Sequence, residues 1–236
     1  MVLPKSAKVP FAVTAGGETV GIRWPSHPFI QAVIRACGFP LAAPSANRST
    51  GVSPTNAAHV VKSLGDRIPL VVDGGQSQVG IESTVLDVTI NPPRVLRPGM
   101  IREESLLAVT GALANAECGM RNAEPLRSPG LLERHYSPKA RLMILSWHDD
   151  AELRGRLSVA ECPFSGVHVI AHTRVPSGAG FGQVSVIPRD AQAFARAIYA
   201  ELHRCDEAGA KVIVVEELPQ GVEWEAIRDR LRRAAA

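Results

Sequence analysis

The chain has 236 residues, 45% hydrophobic and 21% charged, which suits a globular protein able to bury a core in one large or two small domains. Its 26 Lys and Arg against 23 Asp and Glu leave a formal charge of +3, too small to argue for general nucleic-acid binding, although a local basic patch stays open. The start, Met1-Val2-Leu3-Pro4-Lys5, lacks a signal-type apolar segment, and no membrane-length apolar run follows, so the cytoplasm is the expected compartment, without a membrane partner. The four cysteines stand singly with no C-x-x-C spacing, so neither disulfide staples nor a structural zinc is supported.

In chain order, residues 1–5 read as a short strand and residues 19–24 as a second, closed by Pro25. Ser26 precedes a helical pattern over 27–35, with Pro28 near its start and Gly38 beyond its end. Residues 39–43 form the next expected strand. It feeds Pro44-Ser45-Ala46-Asn47-Arg48-Ser49-Thr50-Gly51-Val52-Ser53-Pro54-Thr55, a loop rich in hydroxyls, with an Asn amide that both donates and accepts. Ser53 or Thr55 is placed to cap a helix over 56–64, whose free N–H groups would favour an anion. A serine-rich surface loop with an ordinary cap is the plainer alternative.

A buried-type strand is expected over 68–73, ended by Gly74-Gly75, then strands over 83–88 and 94–97 and a helix over 101–110. Short strands mixed with short helices argue an α+β domain with a mixed sheet. Residues 114–129 lose the pattern and read as a linker ending in Ser128-Pro129-Gly130. Beyond Tyr136, strands over 142–146, 167–171, 184–187 and 211–216 alternate with helices over 149–157, 191–208 and 223–233, the mark of a small parallel sheet covered by helices. The expected domains are therefore 1–113, a linker or lid over 114–140, and 141–236.

Two further features bear on chemistry. The loop from Asp73-Gly74-Gly75 to Gly80-Ile81-Glu82-Ser83-Thr84 lets backbone N–H groups approach a ligand, with a plain glycine turn as the alternative. Arg23 and Arg97 each end an apolar strand, where a guanidinium can clamp a carboxylate or phosphate, or simply be solvated. Gly178-Ala179-Gly180-Phe181-Gly182 has the wrong spacing for a dinucleotide fingerprint, and neither a Walker P-loop nor a G-x-S-x-G elbow occurs.

Pro44-Ser45-Ala46-Asn47 with Ser53-Pro54-Thr55, then Asp73-Gly74-Gly75, Glu82-Ser83-Thr84-Val85, Leu96-Arg97-Pro98-Gly99, and Ser128-Pro129-Gly130 with Arg134-His135-Tyr136-Ser137-Pro138 resemble the YrdC-like threonylcarbamoyl-AMP synthases of the longer, two-domain type. The resemblance is strong to about residue 142 and looser beyond. It implies an incomplete YrdC-like mixed-sheet domain followed by a small Rossmann-like α/β domain. It also implies formation of threonylcarbamoyl-AMP and diphosphate from L-threonine, bicarbonate and ATP, the first step toward N6-threonylcarbamoyladenosine in tRNA.

By position, the resemblance puts Thr19, Ser45, Asn47, Ser53, Arg97 and Tyr136 on ATP, and Arg23, Ala43 and Ser83 around L-threonine. It implies no catalytic residue in the covalent sense, no protein metal cage, Mg²⁺ on the phosphates, and tRNA or tRNA-modification proteins as possible partners. Tyr136 would act as a lid. Two departures stand out: Thr50 occupies a position where the family has glycine, and about a hundred family residues, including a lysine-arginine-proline triphosphate segment, have no counterpart before Met1. On that basis the chain is expected to be a synthase lacking its N-terminal third and not to make threonylcarbamoyl-AMP by itself. A non-catalytic remnant binding RNA or protein is the runner-up, and a carbamoyl-transfer maturation factor a third reading, against which the Ser-Pro-Gly and His-Tyr-Ser-Pro linker argues.

Overall fold

A computed structural model describes residues 1–114, 135–158 and 162–236. In chain order the elements are β1 (Val2–Pro4), β2 (Thr19–Gly21), α1 (Pro28–Cys37), α2 (Ala57–Leu64), β3 (Val85–Asp87), β4 (Arg94–Arg97) and α3 (Glu103–Thr110). Then follow β5 (Arg141–Leu145), α4 (Asp150–Leu157), β6 (Val167–Ala171), β7 (Gln183–Val186), α5 (Ala191–Glu207), β8 (Val212–Glu216) and α6 (Glu225–Ala235). The chain separates into two compact units, one made of residues 1–44 and 83–131, the other of residues 45–82 and 132–236. Most of the expected linker lies outside the described residues.

The first unit holds a mixed sheet in the order β2-β1-β3-β4. β1 runs antiparallel to β2, with Val2 opposite Gly21 and Pro4 opposite Thr19, and parallel to β3, while β3 and β4 pair antiparallel. Helix α1 starts where Pro28 can occupy the first turn without losing a hydrogen bond, and the His27 Nδ1 accepts from the Phe29 N–H at 3.3 Å. It ends at Gly38, whose φ of 70° lets its N–H return to the Ile34 carbonyl. Among the described residues of this unit, Val2 and Leu86 are the buried apolar side chains, whereas Phe11, Trp24, Phe29, Phe39 and Val109 are exposed.

The second unit contains an all-parallel sheet in the order β5-β8-β6-β7. Strands β6 and β8 read Val-His-Val-Ile-Ala and Val-Ile-Val-Val-Glu and are buried at every position, as expected for central strands covered on both faces. Alternate residues Val167, Val169, Ala171, Val212 and Val214 pack with Trp147, Leu153, Leu157 and Phe181. Helix α5 buries Ala191, Phe194, Ala195, Ile198, Tyr199, Leu202 and Cys205, the core stripe its spacing announces. Asp149 and Asp190 cap α4 and α5 through backbone N–H groups three residues on.

The α+β class with one mixed and one parallel sheet matches the expectation, with two strands corrected. Residues 39–43 and 68–73 form no strand and join no ladder. Each contains a proline that cannot donate, and each exposes its apolar side chains: Phe39 and Leu41 in one, Leu70 and Val72 in the other. Apolar runs show what could be buried, but a strand forms only where a partner backbone is in register.

Among the described residues no helix is long and apolar enough to cross a membrane.

Candidate functional site

The candidate residues fall in both units. In the first, Arg23 lies just past the end of β2, exposed, and its Nη2 donates to the Ala43 carbonyl at 2.7 Å. The two residues expected around L-threonine from opposite sides of α1 are thus joined directly. The contact leaves a guanidinium with spare donors held at one edge by a backbone oxygen, the geometry that suits a carboxylate clamp. Thr19, opposite Pro4 in the β1–β2 ladder, is exposed and lies two residues before the end of that strand.

Arg97 ends β4 and is buried, its Nε and Nη2 donating to the Ser83 carbonyl at 3.2 and 3.0 Å. Ser83 itself is exposed, so its hydroxyl is presented to solvent while its carbonyl anchors the arginine. Thr84 Oγ1 donates to the Ile101 carbonyl at 3.0 Å and accepts from the Ile101 N–H at 3.2 Å, and Gly99 lies flat against Ser83 and Thr84. The Glu-Ser-Thr-Val and Leu-Arg-Pro-Gly motifs, about a dozen residues apart in sequence, therefore form one closely packed corner.

In the second unit the hydroxyl-rich loop is held by its own residues. The Asn47 Nδ2 donates to the Arg48 and Gly51 carbonyls, both at 2.9 Å, and its Oδ1 is buried without a hydrogen bond among the described residues. Ser45 is exposed. Thr50 has φ of 67°, the left-handed region that a β-branched side chain resists. The family glycine at this position would take that conformation freely, so the turn keeps its place and the threonine bears the strain. Thr50→Gly is expected to raise stability by about 0.5–1 kcal/mol, the relief of left-handed strain less the extra freedom of glycine in the unfolded chain. Chemical denaturation would show it as a higher midpoint at unchanged slope, and an unchanged or lower midpoint would contradict it.

Neither Ser53 nor Thr55 caps α2. Asn56 does, its Oδ1 accepting from the His59 N–H at 3.0 Å. The other two are engaged elsewhere: Ser53 Oγ meets Glu82 Oε1 at 2.6 Å, and Thr55 Oγ1 meets His59 Nδ1 at 3.2 Å. His59 stacks on His203 of α5 with ring centroids 3.8 Å apart, and His203 Nε2 lies 3.1 Å from the Ser53 carbonyl. Burial, then the neighbouring ring, holds the His59 pKa below its ordinary value, and burial lowers that of His203.

A cavity of about 200 Å³ is lined by Pro54, Thr55, Asn56 and Ala57 on one side and Val72, Gly74, Gly75 and Ser77 on the other. The two loops singled out in the sequence thus face each other, joined by the Ser77 N–H to the Thr55 carbonyl at 2.8 Å.

Tyr136 is buried, has φ of 63°, stacks on Tyr199 at 5.9 Å, and lies 5.6 Å beneath the Arg230 guanidinium. Its neighbour Ser137 bridges to Gly51, with the Ser137 N–H donating to the Thr50 carbonyl at 2.8 Å. The His-Tyr-Ser-Pro segment is therefore docked on the hydroxyl-rich loop. Ser128, Pro129, Gly130 and Arg134 lie outside the described residues.

Glu82, of the Glu-Ser-Thr-Val motif, completes this cluster with Tyr199, Asp229 and Arg230, to which the sequence assigned no site role. Glu82 Oε2 accepts from Tyr199 OH at 3.1 Å and from the Nε of fully buried Arg230 at 3.0 Å, while Arg230 Nη1 donates to Asp229 at 2.6 Å. Burial, then the Glu82 carboxylate, pushes the Tyr199 phenol well above its ordinary value, so it stays a donor. In the sequence, Arg228-Asp229-Arg230-Leu231 carries the looser C-terminal part of the family resemblance and marks no site residue.

Comparison with known proteins divides the chain differently, at about residue 100. Residues 1–99 match the Sua5/YciO/YrdC family model, described as telomere recombination, and residues 101–236 match the threonylcarbamoyl-AMP synthase C-terminal domain. The threonylcarbamoyl-AMP synthase of Pyrococcus abyssi is 32% identical over all of this chain and 69% of its own length. Those of Bacillus subtilis and Schizosaccharomyces pombe are 39% and 33% identical, over 94% and 95% of this chain and 65% and 59% of theirs. The chain thus spans roughly two thirds of the length of these relatives. The crystal structure of Pyrococcus abyssi Sua5 complexed with L-threonine superposes with a TM-score of 0.83 at 32% identity, over 99% of this chain and 69% of that one. Two family models end to end, and relatives of one name spanning the whole chain, show that the protein belongs to the two-domain threonylcarbamoyl-AMP synthase family.

Proposed function

We propose that the chain carries the L-threonine and ATP contacts of an L-threonylcarbamoyladenylate synthase, a nucleotidyltransferase that joins L-threonine, bicarbonate and ATP into threonylcarbamoyl-AMP and diphosphate for tRNA modification. The observation that supports it most is the direct bonding of candidate residues to one another: Arg23 to Ala43, both expected around L-threonine, and Arg97, expected on ATP, to the carbonyl of Ser83, expected around L-threonine. A relative of the same fold is known in complex with L-threonine.

In this reading Arg23 clamps the amino-acid carboxylate, beside Ala43 and Ser83, while Thr19, Ser45, Asn47, Ser53, Arg97 and Tyr136 serve the nucleotide. Threonine's amine captures carbon dioxide as a carbamate. A carbamate oxygen then attacks the α-phosphorus, the bond to the diphosphate breaks, and diphosphate leaves. Nothing covalent forms on the protein, so the rate rests on alignment and on cationic support of the phosphates. Among the described residues no three His, Cys, Asp or Glu side chains converge as a metal cage, so Mg²⁺ would arrive on the triphosphate. The division into a synthase domain over 1–113, a lid over 114–140 and a C-terminal domain over 141–236 belongs to the same proposal.

Arg97→Ala is expected to weaken ATP about ten- to a hundredfold, a guanidinium–phosphate pair being worth ~1.5 to 3 kcal/mol, with a much smaller effect on L-threonine. Arg23→Ala should do the reverse. Calorimetric titration of both ligands against both variants checks this, alongside diphosphate release dependent on L-threonine, ATP and bicarbonate. Equal losses for the two ligands in each variant would sink the assignment. Binding of neither ligand to the unaltered chain would favour the runner-up, a non-catalytic protein that recognises RNA or another protein.

A further inference from the structure

Ser53 is expected on ATP, and hydroxyls beside helix ends are usually read as phosphate donors. The surroundings of this hydroxyl point the other way. Ser53 is buried, and its Oγ lies 2.6 Å from Glu82 Oε1. The other carboxylate oxygen takes the Tyr199 hydroxyl and the Arg230 Nε. Arg230 is permanently charged and fully buried, and its natural complement is an ionised carboxylate. An ionised carboxylate only accepts, so the single hydroxyl proton of Ser53 must point at Glu82. What remains on Ser53 Oγ are lone pairs. Phosphate oxygens are acceptors too, and the negative Glu82 stands beside them.

We propose that Arg230 and Tyr199, by locking Glu82, are positioning residues that turn Ser53 into a hydrogen-bond acceptor, so that Ser53 meets a donor on the nucleoside part of ATP and not its phosphates. This rests on the nucleotide reading above and refines it. The candidate donors are the two ribose hydroxyls and the adenine amino group. The phosphates are left to groups that can donate, with Arg97 the charged one among the residues assigned to ATP. Arg230 is itself fixed, with Asp229 at 2.6 Å on Nη1 and the Tyr136 ring 5.6 Å away, so the carboxylate it holds has little freedom to release Ser53. The tail helix α6, far along the chain from the hydroxyl-rich loop, thereby sets the chemistry of one atom in that loop.

The test compares four probes on the full chain: ATP, its 2′-deoxy and 3′-deoxy analogues, and inosine triphosphate, which lacks the amino group, with inorganic triphosphate as the phosphate-only control. At least one of the three analogues should bind the wild type about fivefold or more weakly than ATP, the worth of one lost hydrogen bond. In Ser53→Ala that gap should close, while inorganic triphosphate binds as before. The double variant Glu82→Leu/Arg230→Met, which replaces the buried pair by apolar groups of similar size, frees the Ser53 proton. With that proton free to turn toward a phosphate and the negative Glu82 gone, inorganic triphosphate should bind more tightly than to the wild type. A defect that was only structural would weaken all five probes together. If Ser53→Ala weakens inorganic triphosphate as much as ATP and keeps the gap, or if no analogue differs from ATP in the wild type, the inference is overturned while nucleotide binding stands. If the wild type binds neither ATP nor triphosphate, both fall. Should the double variant fail to fold, the Ser53→Ala comparison decides alone.

Discussion

Glu216→Ala is expected to destabilise the protein by about 2 kcal/mol or more, because it removes the shared charged acceptor of three part-buried backbone N–H groups, a hydrogen bond to a charged group being worth ~1.5 to 3 kcal/mol. Glu216 ends β8 and is 2% exposed, and its carboxylate accepts from the backbone N–H groups of His172 at 2.8 Å, Thr173 at 2.8 Å and Arg174 at 3.1 Å. These three residues follow β6, so one side chain ties together the carboxyl ends of the two central strands. Burial alone would push the Glu216 pKa up, but the three N–H bonds and the nearby His172 ring outweigh it and leave the value below the ordinary range.

The direction of that shift sets the pH dependence. A carboxylate with a lowered folded-state pKa stabilises fully above its unfolded value, about 4.3, and loses that contribution as pH falls through the folded value. Thermal melts between neutral pH and pH 3 should therefore show a steeper acid-side loss for the wild type than for Glu216→Gln. Parallel curves for the two proteins would contradict this account, and so would an alanine variant as stable as the wild type.

Gly99→Ala should cost on the order of 3 kcal/mol or more, at or above the top of the usual range for overpacking, since the obstacle is backbone and cannot swing away. A Cβ on Gly99 would overlap the Thr84 nitrogen and stand 2.6 Å from Thr84 Oγ1 and 2.7 Å from the Ser83 carbonyl carbon. Relief requires moving Ser83 and Thr84. Ser83 supplies the carbonyl that holds both donors of Arg97, so the displacement also releases the arginine. A lower denaturation midpoint accompanied by weaker binding of both L-threonine and ATP is the expected pair of results. A folded variant that binds both ligands as the wild type does would show that this corner tolerates expansion.

Much of this protein was legible along the chain because local physics was enough. Pro28 and Gly38 bracket α1, Asp149 and Asp190 begin their helices, and the apolar stripe of α5 became core, all through interactions within one or two turns. The alternation of strands with helices beyond Tyr136 announced a small parallel sheet covered by helices, and β6 and β8 are buried at every position. The motifs around Ser45, Ser53, Ser83 and Arg97 named a family, because residues at fixed spacings record a ligand even when no partner residue is visible.

Tertiary structure decided what depended on distant partners. Residues 39–43 and 68–73 have the composition of strands, yet neither meets a backbone in register, so neither joins a sheet. Ser53 or Thr55 reads as a helix cap, but Asn56 takes that role, and the Ser53 hydroxyl donates instead to Glu82, a partner that only folding brings beside it. Arg230 has no site role in the sequence, whereas folding removes it from water and matches it with Glu82, 148 positions earlier. The sequence by itself thus determined the elements whose energetics close within a few residues, and the family those motifs mark. Hydrogen bonds between remote segments, which no periodicity or spacing encodes, were left for the tertiary structure to assign.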